Sequence, residues 1–188
     1  LRGRLVLATA VRLGALRRPW VPMLRARAAN SPFAGGRDAE CASWRHFEFA
    51  RWPTVGPTPV LDGSGYERVA NELTASGTVM DRKMIYWYAR PSERWPTLEI
   101  RVADVNADLD VPVLLAILAR GLSQTLLGRL RADKPVPGPG DDRRLSREHR
   151  AAALYGLDSE GTDPVDGSIA GLPERLASLV EFARPGLK

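Results

Sequence analysis

The stretch Met84–Val105, MIYWYARPSERWPTLEIRVADV, decides how the chain folds. Its outer parts, 84–90 and 97–105, alternate apolar and polar residues with a period of two, the pattern of half-buried strands. The PSERWP between them is a turn signal. Side chains alternate faces along a strand. Ile85, Trp87 and Ala89 therefore make an apolar face, and Tyr86, Tyr88 and Arg90 make its polar opposite. In the second run Leu98, Ile100 and Val102 point one way, while Thr97, Glu99 and Arg101 point the other. If Arg90 pairs with Thr97 across the connection, Tyr88 faces Glu99 and Tyr86 faces Arg101. One surface then carries the phenols, two arginines and a carboxylate, and a one-residue slip would drive those polar groups into the core.

Helices flank this hairpin. Upstream, Val6, Ala10, Leu13 and Leu16 recur at helical spacing. They predict a helix over roughly 4–28, broken near Pro19 and Pro22. A loop-rich segment follows, ANSPFAGGRDAECASWRHFEFARWPTVGPTP, dense in Gly, Pro and small polar residues. Residues 66–77 read as a second helix. Downstream, Asp110 can cap a long helix that tolerates Pro112 in its first turn and runs to about Leu130. Leu114, Leu118, Leu122 and Leu126 should face inward. ADKPVPGPGDDRR (132–144) reads as a flexible connection. A short helix near 146–155, a turn through GTDPVDG and a last helix near 173–183 complete the chain. The expectation is an α+β fold over 1–188, with an antiparallel sheet backed by helices.

Composition narrows the function classes. The chain has 188 residues and a net charge of +5, with Lys83, Lys134 and Lys188 as its only lysines. Arginine grips carboxylates and phosphates through its planar fork. Cys41 is the single cysteine, which rules out an internal disulfide and fits a reducing, cytoplasmic setting. His46 and His149, with no second cysteine, do not make a zinc site of usual spacing. Five tryptophans beside arginines would suit stacking on nucleic acid, but the arginines are scattered and no nucleic-acid motif is present. Arg12, Arg17 and Arg18 interrupt the apolar N-terminal stretch before it reaches a membrane-spanning length. It reads as an amphipathic helix entered mid-protein, not as a targeting segment or a membrane span.

On the hairpin, Arg90, Glu99 and Arg101 suit phosphate and metal chemistry. Glu99 can give an oxygen to Mg²⁺, and the guanidinium groups can hold phosphate oxygens by charge-assisted bonds. The same residues also fit a solvated face of cross-strand ion pairs. The residues alone leave both readings open.

Four segments in order carry a resemblance. ANSPF (29–33), Gly36 to Asp38, Ala42 to Arg45 and RWPTVGPTP (51–59) resemble the central signature of the type-2 glutamate–cysteine ligases, the bacterial carboxylate–amine ligases. The hairpin resembles the family's strand pair, and YGLD (155–158) and RPGL (184–187) sit where similar pieces occur. The resemblance implies a glutamine synthetase-like fold with an antiparallel sheet as a concave active-site floor. It implies that ATP phosphorylates the γ-carboxylate of glutamate and that the amine of cysteine, or a related amine, displaces the phosphate. ATP and Mg²⁺ would be required. Glu99 would ligate metal, Arg101 would contact the transferred phosphate, Arg90 the substrate or the phosphate, and Asp38 and Arg45 would line the substrate side.

The chain matches the internal to C-terminal portion of that family, so the site is expected to be partial and the sheet incomplete. It departs from the pattern at Ala39, Glu40 and Cys41 and in REHRAAAL before YGLD. The rival reading is a truncated, non-catalytic relative that acts as a binding or interaction protein, with self-association into a homo-oligomer as a further expectation.

Overall fold

A computed structural model describes residues 7–188. Helix α1 (Leu7–Arg17) passes through a 3-10 turn at Arg18–Trp20 into helix α2 (Val21–Ala28). The break falls where the sequence places it, because Pro19 and Pro22 have no amide hydrogen to offer a preceding carbonyl. The expected helical residues 4–6, Val6 included, lie outside the described residues.

The segment after α2 contains more structure than its loop-like composition suggests. Strands β1 (Phe33–Ala34) and β2 (Arg37–Asp38) form a small hairpin. Gly35 and Gly36 both have positive φ, as a type I′ turn demands. Helix α3 (Trp44–Phe49) follows, then an irregular run rich in proline, and then helix α4 (Gly63–Ala75). Helix α4 starts three residues earlier than the periodicity predicts because Asp62 caps it, accepting the Gly65 amide at 2.6 Å.

Strands β3 (Ala89–Pro91) and β4 (Leu98–Ile100) are the central hairpin, and they are shorter than the predicted runs 84–90 and 97–105. Their register is Ala89 with Ile100, Arg90 with Glu99 and Pro91 with Leu98, which corrects the expected pairing of Arg90 with Thr97. The shift is two residues, so each side chain keeps its predicted face. The ladder stays short because the amides of Tyr86, Tyr88 and Ala89 bond elsewhere, that of Tyr88 to the Gly56 carbonyl. The Thr54 hydroxyl receives the Tyr86 amide, and the Thr58 hydroxyl both receives the Ala89 amide and donates to its carbonyl. These hydroxyls stand in for a strand whose prolines, at 53, 57 and 59, have no N–H to give.

Helix α5 (Asp110–Arg131) spans the molecule. Leu109, not Asp110, occupies its N-cap position, and Asp108 accepts the Asp110 amide at 2.9 Å. By length and composition α5 would cross a membrane, yet Leu118, Leu122 and Leu126 are buried in the main core. Leu114 packs at the edge of that core. Residues 132–141 are irregular and lead into helix α6 (Asp142–Tyr155), capped by Asp141. The predicted turn through GTDPVDG is the tip of a third hairpin, β5 (Glu160–Thr162) with β6 (Ile169–Gly171), which feeds helix α7 (Leu172–Ala183).

The fold is α+β, as expected. Among the described residues its strands form three separate two-stranded antiparallel sheets and not one continuous floor. The segment 85–88 runs between two apolar clusters. Ile85 and Trp87 join Val11, Tyr66, Ala70 and Val79 in the smaller one. Tyr88 joins Trp20, Met23, Leu122, Leu126 and Leu179 in the larger. Both faces of this segment are therefore covered, and Arg90 is held at 3% exposure.

Candidate active site

Cross-strand pairing in the central hairpin places Arg90 directly opposite Glu99. The Arg90 Nη2 lies 3.1 Å from Glu99 Oε2, and Arg101 Nη1 lies 3.2 Å from the same oxygen. Arg90 also donates through Nη1 to the Arg82 carbonyl at 2.7 Å. Burial of Glu99 acts to raise its pKa, but the Ser92 hydroxyl and the two guanidinium groups outweigh it and hold the carboxyl below its usual value. Glu99 is thus ionised at neutral pH, with a cation on either side.

Arg101 stacks on Tyr86, its guanidinium carbon 5.1 Å from the ring centre. Its carbonyl accepts from Arg45 Nη2 at 3.1 Å. Arg45 comes from the first turn of α3 and lies over Phe49. The central-signature loop is brought onto the hairpin by Asp104, which is 8% exposed. Asp104 accepts the Asn30 amide, the Ser31 hydroxyl and the Ser43 hydroxyl, at 2.8, 2.8 and 2.9 Å. The loop is pinned again from behind, where the Ala42 and Ser43 amides bond the Leu154 and Ala153 carbonyls at the end of α6. Gly156, at positive φ, lets the chain turn there, and a side chain would meet Ala42.

Next to the hairpin, Arg25, Arg45, His46 and Arg101 surround a narrow pocket walled by Phe49, Val55, Tyr86 and Tyr88. Arg25 projects from α2, where all but one residue is buried. Its Nε donates to His149 Nδ1 at 3.0 Å, and its guanidinium lies 4.7 Å from the Tyr88 ring centre. Burial lowers the Arg25 pKa to about 10, leaving it charged at pH 7. Burial, and then the cations Arg25, Arg150 and Arg45, push His46 down to about 4. Burial and Arg25 hold His149 well below its usual value.

A profile of the glutamate–cysteine ligase family 2 matches residues 8–185. The chain belongs to that family. Three relatives carry the name "Putative glutamate--cysteine ligase 2", numbered 2-1 or 2-2. One from Saccharopolyspora erythraea is 44% identical over 99% of this chain and 49% of its own length. One from Nocardia farcinica is 37% identical over 96% of this chain and 47% of its own. One from Mycolicibacterium vanbaalenii is 40% identical over 91% of this chain and 47% of its own. The chain spans about half the length of the curated relatives it matches.

Of the five candidate residues, this family member brings Arg90, Glu99 and Arg101 into direct contact and sets Arg45 against the Arg101 backbone. Asp38 stands apart. It is exposed on β2, and its carboxylate accepts the Glu40 amide at 2.8 Å, supporting a residue at φ 53. Asp104 and Arg25 were missed by sequence reasoning, although both carry a signal. Asp104 continues the inward row Leu98, Ile100 and Val102, and a carboxylate there must be matched by donors. Arg25 falls between Leu24 and Ala26 in a helix whose only other polar side chain is Arg27. No group of three or more His, Cys, Asp or Glu suited to a metal occurs among the described residues. Glu99 is a single carboxylate already held by two cations. Hard cations take several oxygens, so the described residues do not by themselves make a magnesium site.

Proposed function

We propose that this chain supplies the phosphate-facing half of an ATP-dependent carboxylate–amine ligase acting on glutamate and on cysteine or a related amine. The observation that carries the reading is the Arg90–Glu99–Arg101 cluster with Arg45 beside it, a fixed set of guanidinium groups on and next to the central hairpin. In this reaction the γ-phosphoryl group of ATP passes to an oxygen of the γ-carboxylate, giving ADP and an acyl phosphate. The amine nitrogen then attacks the acyl carbon, the C–O bond to phosphate breaks, and the nitrogen loses a proton as the amide forms. Arg101 and Arg90 hold oxygens of the transferring group, and preorganised cations of this kind act on charge as it develops. Arg45 orients the substrate side. Asp38 belongs to this reading only as a residue of the rim.

Glu99 offers one oxygen toward magnesium, and the remaining ligands must come from outside the described residues. The same holds for the rest of a glutamine synthetase-like sheet. A cytoplasmic setting suits the single cysteine, which is buried.

The test is ATP-dependent phosphate release with Mg²⁺, glutamate and cysteine, measured on this chain and on the full reading frame that contains it. Turnover is expected of the full reading frame, and Glu99→Gln in that context should lower it by about 10²–10³-fold, the scale of losing one preorganised charge. Circular dichroism should show the fold retained. Near-normal turnover in Glu99→Gln would sink the assignment. The second reading, a non-catalytic relative acting as a binding protein, is favoured by the lack of a metal-binding group among the described residues, and silence in both proteins would support it.

A further inference from the structure

The C-terminal half of α5 borders a second cleft, which shares no lining residue with the pocket beside the hairpin. Arg120, Gln124, Gly128 and Arg131 recur every three or four residues, so one face of the helix makes its floor. The turn after the helix, closed by the Lys134 amide on the Arg129 carbonyl at 2.8 Å, adds Lys134. Gly186, in the 3-10 turn Arg184–Gly186, makes the far wall. That wall is fixed to the helix. The Thr125 hydroxyl receives the Gly186 amide at 3.1 Å and donates to the Ala183 carbonyl at 3.2 Å. The volume is about 480 Å³, within the roughly 300–1,000 Å³ of small-molecule sites.

The charge of the cleft has one sign. Arg120, Arg129, Arg131 and Lys134 line it, and no aspartate or glutamate does. None of the four is in an ion pair among the described residues. Asp133, in the same turn but outside the lining, offsets at most one of these charges, and Glu181 at the nearby end of α7 is taken by Arg184. Arg129 is held in place by its Nε, which donates to the Pro135 carbonyl at 2.7 Å, and by Phe182, whose ring centre lies 5.3 Å from its guanidinium carbon. A helix C-terminus attracts cations, which accounts for Arg129 and Arg131 in the last turn. It does not account for Arg120, about three turns earlier.

Nor does it account for Gly128. Glycine weakens a helix interior, so one that stays there needs a reason. Gly121 of the same helix has a packing reason, since a Cβ there would collide with Leu187. A Cβ on Gly128 would meet nothing within 4 Å. What Gly128 does is keep the floor open between the cations. We infer that this cleft binds a small polyphosphate group. Guanidinium forks and an ammonium group suit phosphate oxygens, and cations spread along one face call for a ligand with several anionic groups. The inference does not rest on the ligase reading, which uses none of these residues.

The test is calorimetric titration of this chain with sodium triphosphate, without Mg²⁺ or amino acids, and with ATP as a second titrant. One site per chain is expected. Gly128→Glu, which sets a carboxylate on the floor and favours the helix, should abolish binding without lowering the unfolding midpoint. Arg131→Gln with Lys134→Gln should weaken binding by about tenfold for each charge-assisted bond removed. Arg68→Gln with Arg147→Gln removes the same charge outside the cleft and should cost less than about threefold. Equal losses in the two double variants would reduce the effect to net charge and overturn the site. Binding that survives Gly128→Glu but is lost in Arg101→Gln would place the triphosphate on the hairpin and overturn it too. So would a single-stranded oligonucleotide that binds more tightly than triphosphate at the same salt, since the face would then be a nucleic-acid surface. Equal affinities for triphosphate and ATP would support free polyphosphate as the ligand, and tighter ATP would support a nucleotide held by the same phosphate chain.

Discussion

Asp104 does the most positioning for its size. It takes three donors from two parts of the signature loop and sits four residues beyond the strand that carries Glu99. Replacing it with leucine would leave the buried Ser43 hydroxyl without an acceptor, at a cost of about 1–3 kcal/mol, and would strand the part-buried Asn30 amide and Ser31 hydroxyl at a smaller cost each. Asp104→Leu is therefore expected to lower stability by about 3 kcal/mol or more in urea unfolding. Asp104→Asn, which keeps one acceptor oxygen, should fall well short of that loss; equal losses would mean that shape, not acceptance, fixes the loop. At this scale the sequence was informative about faces and silent about partners. Alternation put Arg90, Glu99 and Arg101 on one side, and that survives the two-residue change in register. It did not show that Asp104 collects Asn30, Ser31 and Ser43, because those bonds span more than sixty residues. Nor did it show that Asp38 serves its own turn.

Among the elements, α5 and α2 build the core on which the hairpin rests. The heptad-like leucines of α5 were legible because their spacing holds over the whole helix, and three of the four are buried. The ends were less so. Asp108, not Asp110, sets the start, since capping depends on which carboxylate reaches a free amide. The segment 29–59 read as loop because its order rests on Thr54 and Thr58 hydroxyls, which leave no periodicity to detect. The contrast along α5 is testable. Leu122 is 1% exposed, and Leu122→Ala should cost about 2–5 kcal/mol. Ile117, 49% exposed on the opposite face, should change stability by no more than about 0.5 kcal/mol when cut to alanine. A comparable loss at both positions would show that the outer face of α5 is also covered in solution.

Over the whole molecule, the titrating groups with lowered pKa values act in one direction. His46 is held at about 4 and His149 well below its usual value, while an unfolded histidine takes up its proton near 6.5. Both folded values are depressed, so the unfolded chain binds more protons below pH 6.5. Their contribution is complete above that pH and is lost as the pH falls toward 4. Each histidine proton adds a slope of at most about 1.4 kcal/mol per pH unit in this window, with His149 closest to that limit and half-buried His46 screened below it. Glu99, whose carboxyl is also depressed, adds its loss at lower pH. The unfolding midpoint should therefore fall steadily from pH 7 to pH 5. The fall should be shallower in His149→Gln, whose amide oxygen can still receive the Arg25 donor. A midpoint that is flat across that range, or that rises on acidification, would mean that the two imidazoles are not held neutral among these arginines.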